Sequence, residues 1–121
     1  MPSTLRDICF DCASGRELGE FWREVFGGEL DVLDSGDSCL IPSADGTGLR
    51  YWFNQVPEPK HLKNRVHIDV NLPTAAELHR LLNLGATKLH EVRGDDGTLH
   101  WTVMADIEGN EFCAFPPKTR P

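Results

Sequence analysis

The chain has 121 residues, 40% of them hydrophobic, and carries a formal net charge of −7. That length suffices to bury one core without a disulfide or a structural metal, and the acidic balance argues against nucleic acid, whose phosphates call for a basic face. No apolar run reaches membrane-spanning length and the amino terminus has no signal-peptide core, so the expectation is a cytoplasmic protein, without a membrane partner, whose four cysteines are reduced.

Residues 5–12 alternate, with Ile8, Phe10 and Cys12 on one side and Asp7, Cys9 and Asp11 on the other, the pattern of a half-buried strand. Ser14 can cap a helix with Glu17 behind it, and Leu18, Phe21, Trp22, Val25 and Phe26 recur at helical spacing until Gly27-Gly28. Three short strands follow at 29–34, 38–42 and 48–56, divided by turns at Ser35-Gly36-Asp37 and Asp45-Gly46-Thr47-Gly48. This first module, about 5–56, reads βαβββ. Pro57, Pro59 and the polar residues to Asn64 make a stiff connector, 57–64.

The second module, about 65–115, repeats the order. A strand from Arg65 to Leu72 leads to a helix opened by Pro73-Thr74, with Leu78, Leu81 and Leu82 inward, that stops at Gly85. Strands at 86–92, 98–105 and 111–115 follow, with turns at Gly94-Asp95-Asp96-Gly97 and Glu108-Gly109-Asn110 and a loose tail, 116–121. The interval from Asp11 to Asp69 equals that from Gly27 to Gly85, which marks two copies of one supersecondary unit. The expected fold class is α+β: one domain over 1–121, built of two tandem βαβββ modules that form a half-open, barrel-like cleft.

Alternation then sorts the faces. Val66, Ile68, Val70 and Leu72 should pack inward and leave His67, Asp69 and Asn71 on the cleft side, where the last strand adds Glu111, Cys113 and Phe115 while Phe112 and Ala114 face the helix. In the fourth strand Tyr51 and Phe53 pack under the helix, and Arg50, Trp52 and Asn54 stand in the cleft. An apolar wall with a few polar handles is the composition of a small-molecule pocket, and Trp52 offers a stacking surface. His100, Thr102 and Met104 are read as lining the pocket, Trp101 as core, and His61, His79 and His90 as surface. The candidate substrate-binding set is thus Arg50, Trp52, Asn54, Asn71, His100 and Met104. His67, Asp69 and Glu111 read either as a proton-transfer group or as a solvated polar wall. Lys60, Lys63 and Arg65 can attract an anionic ligand or simply form a solvated loop. Cys9 and Cys12 have CxxC spacing, but on a strand the odd offset sends the sulfurs to opposite faces, which argues against a redox pair.

Three stretches now carry a resemblance: Phe21-Trp22 followed by Val25-Phe26-Gly27; Lys63-Asn64-Arg65-Val66-His67-Ile68-Asp69-Val70; and Leu84-Gly85-Ala86 leading to Met104-Ala105-Asp106-Ile107-Glu108-Gly109-Asn110-Glu111-Phe112. With them the chain resembles the vicinal oxygen chelate superfamily of glyoxalase I, extradiol dioxygenases and bleomycin-resistance proteins, most of all its small glyoxalase-like branch. The resemblance implies metal ligands on the first, fourth, fifth and eighth strands, usually His, Gln or Glu. His67 matches the fifth-strand position; Cys113 stands where the eighth-strand glutamate is usual; Cys9 or Asp7 falls at the first-strand position; Trp52 or Asn54, neither a good ligand, falls at the fourth. The implied metal site is therefore degenerate. It takes either no metal or a divalent one, zinc being the most compatible with Cys and His ligands, and the cysteines also read as small packing residues.

Two functions follow from the resemblance. One is lyase- or isomerase-type chemistry, or that of a dioxygenase relative, on a small oxygenated molecule. The other is metal-free binding of a drug-like ligand without catalysis, as in the bleomycin-resistance members. The family habit also implies a homodimer that covers exposed sheet edges.

Overall fold

The computed structural model describes residues 1–43 and 48–117; Asp45, Gly46 and Thr47 of the expected turn and Lys118 to Pro121 of the expected tail lie outside them. Two compact units divide the chain, Met1–Lys60 and His61–Pro121, and the division falls inside the proline-bearing connector.

The first unit runs β1 (Asp7–Cys12), α1 (Gly15–Phe26), β2 (Glu29–Val32), β3 (Ser38–Ile41) and β4 (Arg50–Gln55). Its sheet has the order β1-β4-β3-β2, with β1 parallel to β4 and the other pairs antiparallel. The helix begins where Ser14, still extended, accepts a hydrogen bond from the Glu17 amide at 3.1 Å, and it ends at Gly27, whose φ of 72° suits glycine. Leu18, Phe21 and Trp22 of α1 are buried, and Trp22 sits among rings: Phe10 at 5.7 Å, Phe21 at 5.3 Å and Phe26 at 5.4 Å. Burial of each such side chain stabilises by about 1.5–3 kcal/mol. The approach of α1 to the sheet depends on its small residues. The Ser38 hydroxyl donates to the Gly15 carbonyl at 2.6 Å, and a Cβ on Gly19 would stand 2.3 Å from that same hydroxyl.

The second unit runs β5 (Asp69–Asn71), α2 (Glu77–Asn83), β6 (Thr87–Arg93), β7 (Leu99–Ala105) and β8 (Glu111–Phe115). Its order, β5-β8-β7-β6 with β5 parallel to β8, repeats that of the first. The fold is α+β with two tandem βαβββ modules, as expected, and neither four-stranded sheet closes on itself.

Two elements are shorter than the sequence suggests. The strand expected from Arg65 is regular only over Asp69–Asn71, and Val66, expected in the core, is 82% exposed. Alternation alone cannot hold a strand whose backbone lacks a partner. The ladder to β8 runs from Asp69 opposite Cys113 to Asn71 opposite Phe115, extended one step by the Cys113 amide donating to the Ile68 carbonyl at 3.0 Å. The second helix begins at Glu77 rather than at Pro73-Thr74, because no side chain caps it and the Thr74 carbonyl is taken by a turn from the Glu77 amide.

The turn before β8 is built around a buried charge. Asp106, 3% exposed, accepts from the amides of Glu108 and Asn110 at 2.9 and 3.0 Å and from the Asn110 side chain, and Gly109 takes a φ of 86°. A buried carboxylate must be satisfied in this way. The motif thus sets where β8 starts. Among the described residues no helix is long and apolar enough to cross a membrane.

Candidate functional site

In the second unit, parallel pairing sets Asp69 directly opposite Cys113, and antiparallel pairing sets Cys113 opposite Val103. Side chains at paired positions share a face, so Asp69, Cys113 and Val103 form one row and Asn71 and Phe115 begin the next. Trp101 belongs with that second row, since its ring stacks on Phe115 at 5.5 Å. Thr102 and Met104 pair with Ala114 and Phe112 on the other face and are 2% and 0% exposed. This reverses the expected sides of β7: Met104 and Thr102 are core, and the half-buried Trp101 stands on the face of Cys113. His100 is exposed near the β6–β7 hairpin, where its Nε2 lies 2.9 Å from the place a Cβ on Gly94 would take.

His67 lies just before β5. Its Nε2 stands 3.3 Å from Oδ1 of Asp69, and donor atoms of His67, Asp69 and Cys113 all lie within 4.8 Å of one another. The histidine and aspartate side chains are about half exposed, while Cys113 is buried. Burial, then the neighbouring Asp69 charge, pushes the Cys113 thiol above its ordinary value, with Lys63 opposing the shift. Without a cation this sulfur is a neutral thiol at neutral pH.

Glu111 is engaged elsewhere. Its Oε1 accepts the backbone N–H of Asn64 at 2.9 Å, and its carbonyl accepts the Asn64 side-chain amide at 3.4 Å. The carboxylate thereby ties the connector to the first residue of β8. Asn71 is exposed at the end of β5.

The open face of the first unit is organised by Asp7. Its carboxylate accepts from Nε and Nη2 of Arg50, both at 3.2 Å, and from the Trp52 indole N–H at 3.0 Å. Three donors on one carboxylate hold both the guanidinium and the indole in place. Cys9 and Cys39 flank Trp52 in register, Cys9 exposed and Cys39 buried, and burial raises the Cys39 thiol above its ordinary value. Asn54, half-buried, stands opposite Asp11. The Asp7 cluster was legible only in part. Its residues were each marked for this face, but their mutual hydrogen bonds depend on the register of β1 against β4, which alternation does not supply.

Of the expected ligands, then, His67 and Cys113 come together with Asp69, while Asp7 and Cys9 belong to the other unit. Zinc bonds of about 2.0–2.3 Å require donors closer than 4.8 Å, so a shared ion would have to draw the half-exposed His67 and Asp69 side chains in toward the sulfur. Imidazole, carboxylate and thiolate suit zinc; an oxygen-preferring ion such as manganese would not select the thiol. Asp7 could ligate a metal only by giving up its bonds to Arg50 and Trp52.

A sequence profile of the glyoxalase-like domain family matches residues 7–115. No curated protein matches the chain as a relative. Among solved structures, the chain is similar to a mutant of the fosfomycin resistance protein FosX from Listeria monocytogenes complexed with Mn(II) and 1S,2S-dihydroxypropylphosphonic acid, at 16% identity over 98% of this chain and 93% of that one, with a TM-score of 0.72. FosX from Mesorhizobium loti aligns at 13% identity over 98% and 94% with a TM-score of 0.65. A glyoxalase-related enzyme from Fulvimarina pelagi aligns at 14% over 93% and 88% with a TM-score of 0.64. At such identities the likeness is one of fold.

Proposed function

The chain belongs to the glyoxalase-like domain family, and from that premise we propose that it acts on a small oxygenated organic molecule, in lyase- or isomerase-type chemistry, with a divalent metal held by His67, Asp69 and Cys113. The observation that carries this reading is the convergence of those three donors within 4.8 Å on one unit. Three protein ligands with a further position left for water or substrate is the arrangement of catalytic rather than structural zinc. When bound, such an ion polarises a substrate oxygen as a Lewis acid. The His67 Nε2 and the Asp69 Oδ1 stand 3.3 Å apart, a spacing at which one ion could take both as ligands in place of their mutual contact. Phe115 and Trp101 offer an apolar wall in the next row of the same face. The fold likeness to a Mn(II)-bound FosX and to a glyoxalase-related enzyme agrees with small-molecule chemistry, although the thiol here favours zinc over manganese.

A second reading, metal-free binding of a drug-like ligand, is favoured by one observation: the Asp7 carboxylate is already occupied by Arg50 and Trp52. Elemental analysis of protein purified without an affinity tag, for zinc, nickel, manganese and iron, separates the two. Near-stoichiometric metal that is lost in both His67→Ala and Cys113→Ala supports the metal site. No uptake after incubation with each ion refutes it and directs the search to ligands that quench tryptophan fluorescence. The reading includes a cytoplasmic homodimer, and light scattering that finds only the mass of one chain refutes the dimer.

A further inference from the structure

We propose that Trp101 and Phe115 set the specificity of the His67, Asp69 and Cys113 site, so that the molecule the site takes carries a planar aromatic group attached directly, or through one carbon, to its metal-binding oxygens. This rests on the metal reading above and names the substrate class of that same site.

The register of the second sheet grades this face along its strands. Glu111 stands opposite Ala105, then Cys113 opposite Val103 with Asp69 on its other side, then Phe115 opposite Asn71, and Trp101 opposite Val92 of β6. Carboxylates thus occupy the first two rows, and the third changes to Phe115, Trp101 and Val92. Neighbouring rows of one face are two residues apart, about 7 Å. That interval is within reach of a ring borne on the group that binds the ion.

Exposure is the second observation. On their other face the same strands are sealed, with Thr102, Met104, Phe112 and Ala114 buried. On the face of Cys113, Trp101, Val103, Phe115 and Val92 are each only partly buried, so apolar surface stays open beside the three donors. An apolar lining next to a few convergent polar groups is the composition of a small-molecule site.

The wall is also fixed in advance. Trp101 has two ring neighbours, Phe115 at 5.5 Å and His100 at 6.2 Å, each tilted by 30° to the indole. Side chains already ordered by such contacts lose little freedom when a ligand arrives. Flatness supplies the selectivity: an aromatic ring can stack or meet these rings edge-on, whereas a saturated ring of similar size gains only burial.

The test is a cobalt(II) titration of the full chain, followed in the visible absorption of the thiolate-bound ion. The loaded protein is then titrated with acetohydroxamate, cyclohexanecarbohydroxamate and benzohydroxamate, which chelate through the same two oxygens and differ only in a methyl, cyclohexyl or phenyl substituent. Each affinity is corrected for that of the same probe for cobalt(II) in water. The wild type should bind the phenyl probe about threefold to tenfold more tightly than the cyclohexyl one, and the methyl probe most weakly. Trp101→Leu and Phe115→Leu should each lower the phenyl-to-cyclohexyl ratio while cobalt affinity is kept, and Trp101→Phe should restore part of it. A wild-type ratio of one overturns the aromatic preference whatever the variants do. Normal cobalt binding with the same ratio in the wild type and both leucine variants overturns the role of the two rings and leaves the metal site standing. No cobalt uptake by the wild type overturns the metal site and this inference with it.

Discussion

Zinc binding to this chain should expel a proton from Cys113. Burial and the Asp69 charge hold that thiol above its ordinary value of 9.0, with Lys63 alone opposing. At pH 7 the thiolate fraction is then at most about 1%, and ionising the sulfur costs at least about 2.7 kcal/mol. Metal binding has to supply that energy, so one proton leaves for each zinc bound through the sulfur. The apparent affinity should therefore rise about tenfold from pH 7 to pH 8, equivalent to about 1.4 kcal/mol. Competition against a chromophoric chelator at the two pH values measures the slope, and a pH-indicator dye in weak buffer counts the proton. Cys113→Ser should flatten the slope, because its hydroxyl does not ionise in this range. Affinity that does not change with pH in the wild type, or a slope that survives in the serine variant, refutes the thiol as a ligand.

Gly15→Ala would drive a Cβ to 2.2 Å from the Gly36 carbonyl and 2.8 Å from that of Phe53, both backbone atoms that cannot step aside; a loss of about 2–4 kcal/mol in urea denaturation is expected, and a loss under 1 kcal/mol would mean that α1 does not press on the sheet as described. Asp7→Ala leaves Arg50 and the Trp52 indole N–H without their shared acceptor, at a cost of about 1–3 kcal/mol and with a shift in tryptophan emission; unchanged emission would count against the bond from the Trp52 indole to Asp7. The Arg80 hydrogen bonds hold Glu77 below its ordinary value of 4.5. A depressed carboxylate stabilises the fold above that value and loses the contribution as pH falls through its folded pKa. Glu77→Gln should accordingly cost about 0.3–0.5 kcal/mol at pH 6 and nothing near pH 2, as read from urea midpoints.

The repeat, the order of elements and the face of β1 were legible because each rests on local pattern: alternation, helical spacing and glycine stops. What was not legible depends on partners far away in the chain. Val66 fits the alternation of Val70 and Leu72, yet it lies outside the stretch that β8 pairs and is exposed. Trp101, Thr102, Val103 and Met104 form a run too apolar to show which side is core, and only the register against β8 assigns Met104 to the buried face. The metal candidates His67 and Cys113 were found from the resemblance, and Asp69 was placed with them by alternation as an acid or base. Its closeness to the thiol follows from the parallel register of β5 and β8, which no sequence period records.

Among the described residues, the opening strand of each unit is hydrogen-bonded within its sheet only to the closing strand, β1 to β4 and β5 to β8. Neither opening strand can therefore pair within its own sheet during synthesis until the last strand of its unit is made, and the closing of so long a loop is a slow, late event in folding. The second unit feels this more, since β5 is only three residues long while β1 has six. A short outer strand that docks last and is held by few bonds is also the segment most cheaply traded between two copies of a chain. Such a trade moves His67 and Asp69 together and leaves Cys113 behind on β8.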